Sequence, residues 1–296
     1  MNLNVTSQVD DINLIKVVRQ LCATKIRHPM SIEQTKAWLK QFSDGPEKTL
    51  ALLILRYLIY RTTSQLDSSF KQALKAAATN FIPQGYIKEN INWRDVLNGS
   101  VGGLDFSYGP FRQQNSRPGK SGEIISRQLK FCDPTSQFKL VYPDQIDSLK
   151  NNERYLLIDD GTFTGDQLIG FIGTSGHFLR QNNQSGIVVG LTHESAINSL
   201  REAYPTIPLF YGEKITPQEC FEVMTTNWIE DEIWPYSGIT PLEQYMAIIK
   251  KAKFVDRLPL GYGDLGCMVA YEHGIPDNSL QLLWDKSDRW TPLFAR

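Results

Sequence analysis

Two consecutive carboxylates, Asp159 and Asp160, stand directly after the apolar run Leu156–Ile158. A continuous apolar run of this kind is typical of a central strand that is buried on both faces. Ligands of open α/β sheets bind at the carboxyl ends of such strands, where both aspartates are expected to lie. A turn follows before a predicted helix, and its members are Gly161, Thr162, Phe163, Thr164 and Gly165.

This order of residues can bind a sugar phosphate. A carboxylate accepts two hydrogen bonds side by side, which suits the adjacent hydroxyls of a ribose. The amides and hydroxyls of the turn, with the positive end of the next helix dipole, suit a phosphate. A ligand with a 5-phosphate and a 2,3-diol, usually with Mg²⁺, would use both halves of the segment. The alternative is an ordinary strand-to-helix turn in which the acids cap the helix.

The segment 158–165 resembles the signature of type I phosphoribosyltransferases, which is an apolar strand, two acids, a variable stretch and Thr-Gly. The resemblance implies an α/β fold with a phosphoribosyltransferase-like parallel sheet flanked by helices. It implies that phosphoribosyl diphosphate or a nucleotide binds residues 159–165. It also implies that Asp159 and Asp160 are catalytic and contact Mg²⁺, in pentosyl transfer or in cleavage of an N-glycosidic bond.

Asp166 and Gln167 depart from that signature, because family members often carry a small hydroxyl residue two places after Thr-Gly. An acid in the first helical turn opposes a bound phosphate. This departure favours a second hypothesis, a catalytically inactive module that senses nucleotides or binds a partner. The intact acid pair and Thr-Gly favour the enzyme.

Further stretches, namely residues 38–42 (WLKQF), 261–284 and 288–296, are similar to a phosphoribosyltransferase-like family of bacterial conflict and defence loci. Some members are encoded beside retron reverse transcriptases as accessory or effector proteins. The resemblance therefore implies a role in antiviral defence. The implied partners are other defence proteins, or a reverse transcriptase with its RNA or DNA product.

The segment Lys120, Ser121 and Gly122 closes a glycine-rich stretch, residues 98–122, that predicts a functional loop. A Walker A loop would need glycine at position 114, where Gln114 stands, so a P-loop is excluded. The resemblance implies that residues 120–122 bind a diphosphate through backbone amides. A solvated surface loop is the alternative.

Asn278 and Trp284 follow Pro276 in the C-terminal part of the chain. The resemblance implies that they could contact a base. Turn chemistry for Asn278 and a core or interface position for Trp284 are the alternatives. His193 follows a predicted strand and could reach the same sheet edge as the acid pair, although a structural histidine is the commoner case.

The elements that must position these residues follow from periodicity. Strands are predicted at 138–142, 155–159, 187–191, 207–211 and 267–272, and helices at 166–179, 194–204 and 242–254. Strands that alternate with helices predict βαβ units, a parallel sheet and right-handed crossovers.

The first 80 residues have helical periodicity, so a helical N-terminal region, 1–90, is predicted ahead of the α/β domain, 91–296. Basic residues in the helical region could contact a partner or nucleic acid, as an adaptor would, or form a solvated face. Four tryptophans exceed what a small core usually needs and favour a partner surface, namely Trp38, Trp228, Trp234 and Trp290.

Composition narrows the class of protein. The 296 residues carry a formal net charge of −1, which excludes global attraction to nucleic acid or anionic membranes. The four cysteines are far apart, which argues against a zinc ribbon or a disulfide framework and fits a reducing compartment. The N-terminus lacks the pattern of a signal peptide, and the longest apolar run is too short to span a bilayer. A cytoplasmic protein without a membrane segment is predicted.

Overall fold

The computed structural model describes residues 3–82, 92–97, 106–112, 119–132, 139–142, 145–146, 149, 153–174, 176–181 and 184–295. The chain forms two compact units. The first unit joins the segment that ends at Ser64 to the segment that starts at Thr216, and the second unit is Gln65–Ile215.

In chain order, the helices are α1 (Leu3–Ala23), α2 (Ile32–Leu39), α3 (Pro46–Tyr57), α4 (Thr63–Asn80), α5 (Trp93–Leu97), α6 (Ser121–Cys132), α7 (Asp166–Thr174), α8 (His177–Gln181), α9 (Glu194–Ala203), α10 (Phe221–Glu230), α11 (Pro241–Ala252) and α12 (Gln281–Trp284). The strands are β1 (Ile59–Arg61), β2 (Phe106–Pro110), β3 (Lys139–Leu140), β4 (Arg154–Thr162), β5 (Ser185–His193), β6 (Leu209–Ile215) and β7 (Val269–Tyr271).

The second unit contains a five-stranded sheet with the order β3-β2-β4-β5-β6. Every pair in it is parallel, and β4 lies between β2 and β5. Helices α7 and α8 connect β4 to β5, and α9 connects β5 to β6. The predicted parallel α/β sheet flanked by helices is therefore confirmed. Thr162 of β4 lies opposite Thr192 of β5, so the two strands end at the same edge.

Strand β2 corrects the prediction of a loop over residues 98–122 for residues 106–110, whereas residues 98–105 and 113–118 lie outside the described residues. All five of its residues are buried. The strand was not predicted because it contains Gly109 and Pro110, and both residue types usually indicate a turn. The glycine is required here by packing, since a Cβ on Gly109 would lie 2.0 Å from the Tyr155 hydroxyl.

Several predicted boundaries differ from those in the structure. The helix predicted at 166–179 is divided into α7 and α8, and Gly176 permits a close approach, since its Cβ would lie 2.7 Å from Ile172 Cα. The strand predicted at 207–211 starts two residues later and continues to Ile215. The strand predicted at 138–142 is reduced to β3, and residue 138 lies outside the described residues.

The first unit is built around α3, whose residues 49–55 are all buried. Arg27 is buried and satisfies the end of this helix, since its guanidinium donates to the carbonyls of Leu55, Arg56 and Leu58. Burial lowers the pKa of Arg27 to about 10. Free carbonyls at the end of a buried helix are costly, so this cap stabilises the core.

The same unit brings together two stretches that carried the family resemblance. Phe42 at one end and Trp290 at the other pack edge to face, with ring centroids 5.2 Å apart. Gln41 Nε2 donates to the carbonyl of Thr291 over 2.8 Å. The expectation that the four tryptophans mark a partner surface was wrong, since Trp38, Trp228, Trp234 and Trp290 are only 1–5% exposed. They form part of the core of this unit.

The two units divide the chain at Ser64 and Ile215 rather than near residue 90. The reason is that β1 pairs in parallel with β7, which joins the N-terminal helices to the C-terminal segment. A division into 1–90 and 91–296 follows the order of the chain, whereas the units follow its packing. None of the helices in the described part of the chain has the length and apolar character that crossing a bilayer requires.

Candidate functional site

The acid pair lies at the carboxyl end of the central strand of the second unit. Residues 155–158 of β4 are fully buried, as predicted for a strand with neighbours on both sides. Asp159 and Asp160 continue the strand and are 6% and 9% exposed. Two carboxylates buried at this depth are unusual, because a charged group loses hydration when it leaves water.

Ser121, the first residue of α6, contacts the first of these acids. Its hydroxyl donates to Asp159 Oδ1 over 2.6 Å. The backbone amide of Asp160 donates to the same oxygen over 2.9 Å. The start of α6 and the acid pair, which were predicted separately, are therefore in contact.

Gly122 permits this approach of α6 to the sheet. A Cβ at this position would lie 2.7 Å from the Phe111 carbonyl oxygen and 3.0 Å from that of Ile158. Such distances are shorter than side chains tolerate, so only glycine lets the helix start here. The amide of Phe111 also donates to the Ile158 carbonyl over 2.7 Å, which fixes the end of β2 beside β4.

Burial and a neighbouring acid both act on Asp159. Desolvation is the largest cause that raises the pKa of Asp159 well above its usual value, and the charge of Asp160 raises it further. Hydrogen bonds from Ser121 and from the Asp160 amide act in the opposite direction. The carboxyl therefore holds a proton at higher pH than an ordinary aspartate does. A ligand hydroxyl or cation that replaced the lost hydration would favour the charged form.

The turn after β4 leads directly into α7. Thr162 and Phe163 are buried, and Thr164 Oγ1 accepts from the Asp166 amide over 3.4 Å. Gly165 has φ +87° and packs against α9, where its Cβ would lie 3.4 Å from Ala196 Cα. Thr164 and the first residue of α7 therefore lie together just beyond the end of β4. The Asp166 side chain is exposed at the same helix end.

Glu123 holds the start of α6 in place, a role that was not predicted from the sequence. Its carboxylate accepts from the amide of Gly119, which has φ +88°. It also forms an ion pair of 3.1 Å with Arg112. Lys120, between these groups, is exposed. The bond spans four residues, one more than the spacing of a capping box, so that familiar sequence pattern did not indicate it.

Three other predicted residues have clear structural partners. His193 caps α9 and accepts from the Ser195 amide over 3.1 Å, as a structural histidine would. Asn278, in the first unit, donates to the Tyr262 carbonyl over 2.9 Å, and Trp284 Nε1 donates to the Ser279 carbonyl over 2.8 Å. These bonds stabilise the C-terminal turns. Base contact by Asn278 and Trp284 stays a prediction.

The donor set fits a magnesium ion shared with a ligand rather than a cage of protein ligands. Within the described ranges, no three His, Cys, Asp or Glu side chains gather closely enough to hold a metal. Mg²⁺ commonly takes one or two carboxylates and fills its remaining positions with water and substrate phosphates. Asp159 and Asp160 supply two adjacent carboxylates beside a turn suited to phosphate.

Comparison with known proteins gives one family match. The family model described as PRTase-CE matches residues 35–296, which include the acid pair, the turn after it and the start of α6. A search of curated proteins found no match.

Proposed function

The chain belongs to the PRTase-CE family, a phosphoribosyltransferase-like family, and on this premise we propose that it binds a ribose 5-phosphate ligand at the end of β4. The ligand is phosphoribosyl diphosphate or a nucleotide. Its ribose hydroxyls bind Asp159 and Asp160, and its 5-phosphate binds the amides and hydroxyls of the turn 162–165. The observation that carries the proposal is the hydrogen bond from Ser121 to Asp159.

That bond supports the proposal because it places the start of a helix, which can bind an anion, beside a carboxylate, which can bind ribose hydroxyls. The start of α6 would offer backbone amides to an anion, and the start of α7 would offer a second set. A diphosphate on residues 120–122 and a monophosphate on residues 162–165 would leave the ribose above the carboxylates. A nucleoside without phosphate would use only the central part of this site.

Magnesium bound with the ligand would neutralise diphosphate charge and stabilise its departure. Asp159 and Asp160 would hold it, together with ligand oxygens. With the ribose bound above them, the carboxylates would lie close to the positive charge that develops as the bond at the anomeric carbon breaks, and charges arranged in advance lower that barrier. We assign these two residues the central role in transferring the pentosyl group to an acceptor, or to water in N-glycosidic cleavage.

A binding module without catalysis is the second candidate, and Asp166 is the observation that favours it. Its exposed carboxylate stands at the start of α7, where a 5-phosphate would lie. Like charges at a helix start weaken anion binding. A sensor that responds to high nucleotide concentrations tolerates such weakening, whereas an enzyme must offset it with other contacts.

One experiment separates the two candidates. The purified chain is incubated with Mg²⁺ and either phosphoribosyl diphosphate with a mixture of nucleobases or a mixture of nucleotides, and release of diphosphate or ribose 5-phosphate is followed by ³¹P NMR. Release that requires the chain, and that is lost in Asp159→Asn/Asp160→Asn, supports the enzyme. Ligand binding without release supports the module. If the chain neither binds these ligands nor releases a product from them, the ribose-phosphate proposal is overturned.

The family resemblance also supports a proposed setting in bacterial antiviral defence, as an effector or accessory protein beside other defence proteins or a reverse transcriptase. Phage plating tests this setting. It compares plaque formation on cells that carry the intact locus with plaque formation on cells whose locus encodes the Asp159→Asn/Asp160→Asn variant. Protection that depends on the acid pair is the expected result. Equal plating with and without the locus would contradict the proposal.

A further inference from the structure

A slot lies between α1, α2 and the start of α3 in the first unit. Its volume is about 270 Å³. Each of the first two helices contributes one stripe to its floor, Ile15, Val18 and Cys22 from α1 and Ile32, Thr35 and Leu39 from α2. Both stripes have spacing i, i+3, i+7, so each runs for about 10 Å along one face of its helix. The floor is therefore elongated and largely apolar.

The floor of the slot does not present the kind of surface that binds a helix of a partner protein. Four floor residues, Val18, Cys22, Thr35 and Leu39, are only 2–9% exposed. A surface that binds a helix presents apolar side chains that stand out toward the partner. Here the apolar atoms lie at depth instead. An unbranched hydrocarbon chain is thinner than a helix, so it suits a recessed apolar floor better.

The mouth of the slot carries positive charge. Arg19, Lys36 and Lys40 line it and are exposed, and within the described part of the chain none of the three pairs with an acid. Lys48 also lines it and donates to the Leu39 carbonyl over 3.1 Å. Lys36 and Lys40 are four residues apart on one helix and repel each other. Because the whole chain has net charge −1, this excess of cations is local.

We propose that the slot binds a single-chain amphipathic anion. A hydrocarbon tail of medium length lies along the two stripes, and a carboxylate or phosphate head lies among Arg19, Lys36 and Lys40. Burial of the tail supplies most of the affinity. The cations fix its orientation and select against uncharged lipids. The slot belongs to the first unit and the acid pair to the second, so this proposal and the proposed function can fail independently.

Calorimetry with the full chain tests the proposal with decanoate, decyl phosphate and decanol as probes. We expect at least one of the two anions to bind, and decanol to bind at least tenfold more weakly. Lys36→Glu/Lys40→Glu should weaken anion binding at least tenfold. The matched control is Lys71→Glu/Lys75→Glu, which reverses two lysines with the same spacing on α4 and should change nothing. No binding of either anion, equal binding of decanol or insensitivity to the reversal would overturn the proposal.

Cys22 offers a second measurement that needs no variant. Its thiol lies on the floor of the slot, whereas Cys220 and Cys267 are buried elsewhere in the unit. We expect a saturating concentration of the bound anion to slow modification of Cys22 by methyl methanethiosulfonate at least tenfold. Modification of Cys220 should not change. An unchanged rate at Cys22 would show that the anion binds outside the slot and would overturn the assignment.

Discussion

Ser121 at the start of α6 donates a hydrogen bond of 2.6 Å to Asp159 at the end of β4. The two residues are 38 positions apart in the chain. The bond joins the segment proposed for the diphosphate to the carboxylate proposed for the ribose. It also favours the charged form of a carboxyl that burial would otherwise neutralise.

Ser121→Ala tests this relationship. Loss of the bond should raise the pKa of Asp159 further and weaken binding of phosphoribosyl diphosphate about tenfold, since a hydrogen bond to a charged group contributes about 1.5–3 kcal/mol. Titration calorimetry at several pH values checks it, and the affinity loss should shrink as pH rises. Ser126→Ala is the matched control on the same helix, because that hydroxyl donates to the Gly122 carbonyl instead. If Ser121→Thr, which keeps a hydroxyl, binds as tightly as the wild type, the affinity loss in Ser121→Ala is due to the hydroxyl and not to a change in structure.

The raised pKa of Asp159 predicts how stability depends on pH. A carboxyl that binds its proton more tightly in the folded chain stabilises the fold below the ordinary aspartate pKa. This contribution is lost as pH rises through the raised value. Without ligand or Mg²⁺, the Tm of the wild type should therefore fall relative to that of Asp159→Asn as pH rises above the ordinary aspartate pKa of about 4. Parallel Tm profiles for the two proteins would contradict it.

The sequence predicted the strand, the acids and the turn because an apolar run, two charges and two glycines are local signals. It did not predict β2, because Gly109 and Pro110 serve packing at a place where sequence patterns indicate a turn. The contact between Ser121 and Asp159 depends on a helix that lies on the sheet, and no local pattern encodes that approach. Pairing of β1 with β7 was likewise unpredictable, since 207 residues lie between Arg61 and Val269.

Gly122 and Gly170 should respond in opposite ways to alanine. Gly122→Ala places a Cβ against the carbonyls of Phe111 and Ile158, and overpacking of this kind costs about 1–3 kcal/mol. Gly170, in α7, has open space around it, so Gly170→Ala should stabilise the chain by about 0.5–1 kcal/mol. Urea unfolding of both variants provides the measurement. Equal effects of the two substitutions would show that α6 does not lie close to β4.

Asp166→Ser tests whether the acid at the start of α7 weakens phosphate binding. Removal of a negative charge beside an anion at a helix start is worth about 0.3–1 kcal/mol, so affinity for a nucleoside monophosphate should rise by about two- to fivefold. Affinity for the corresponding nucleoside should not change, because it carries no phosphate. A gain for both ligands, or for neither, would place the 5-phosphate away from α7.

The most direct test of the ribose-phosphate site is the affinity of Asp159→Asn/Asp160→Asn for phosphoribosyl diphosphate, measured by calorimetry with Mg²⁺. The change keeps the shape of both side chains and removes both charges. Asp231→Asn/Glu232→Gln, an exposed acid pair in the first unit, is the control for net charge.

Two charge-assisted hydrogen bonds of about 1.5–3 kcal/mol each correspond to at least a hundredfold loss of affinity in the site variant, with none in the control. Thermal melts in the absence of ligand should show no loss of Tm, because the buried acids gain nothing from their charge in the free chain. Equal affinity of the wild type and the site variant would contradict the account. A large fall in Tm without ligand would assign the two acids to helix capping instead.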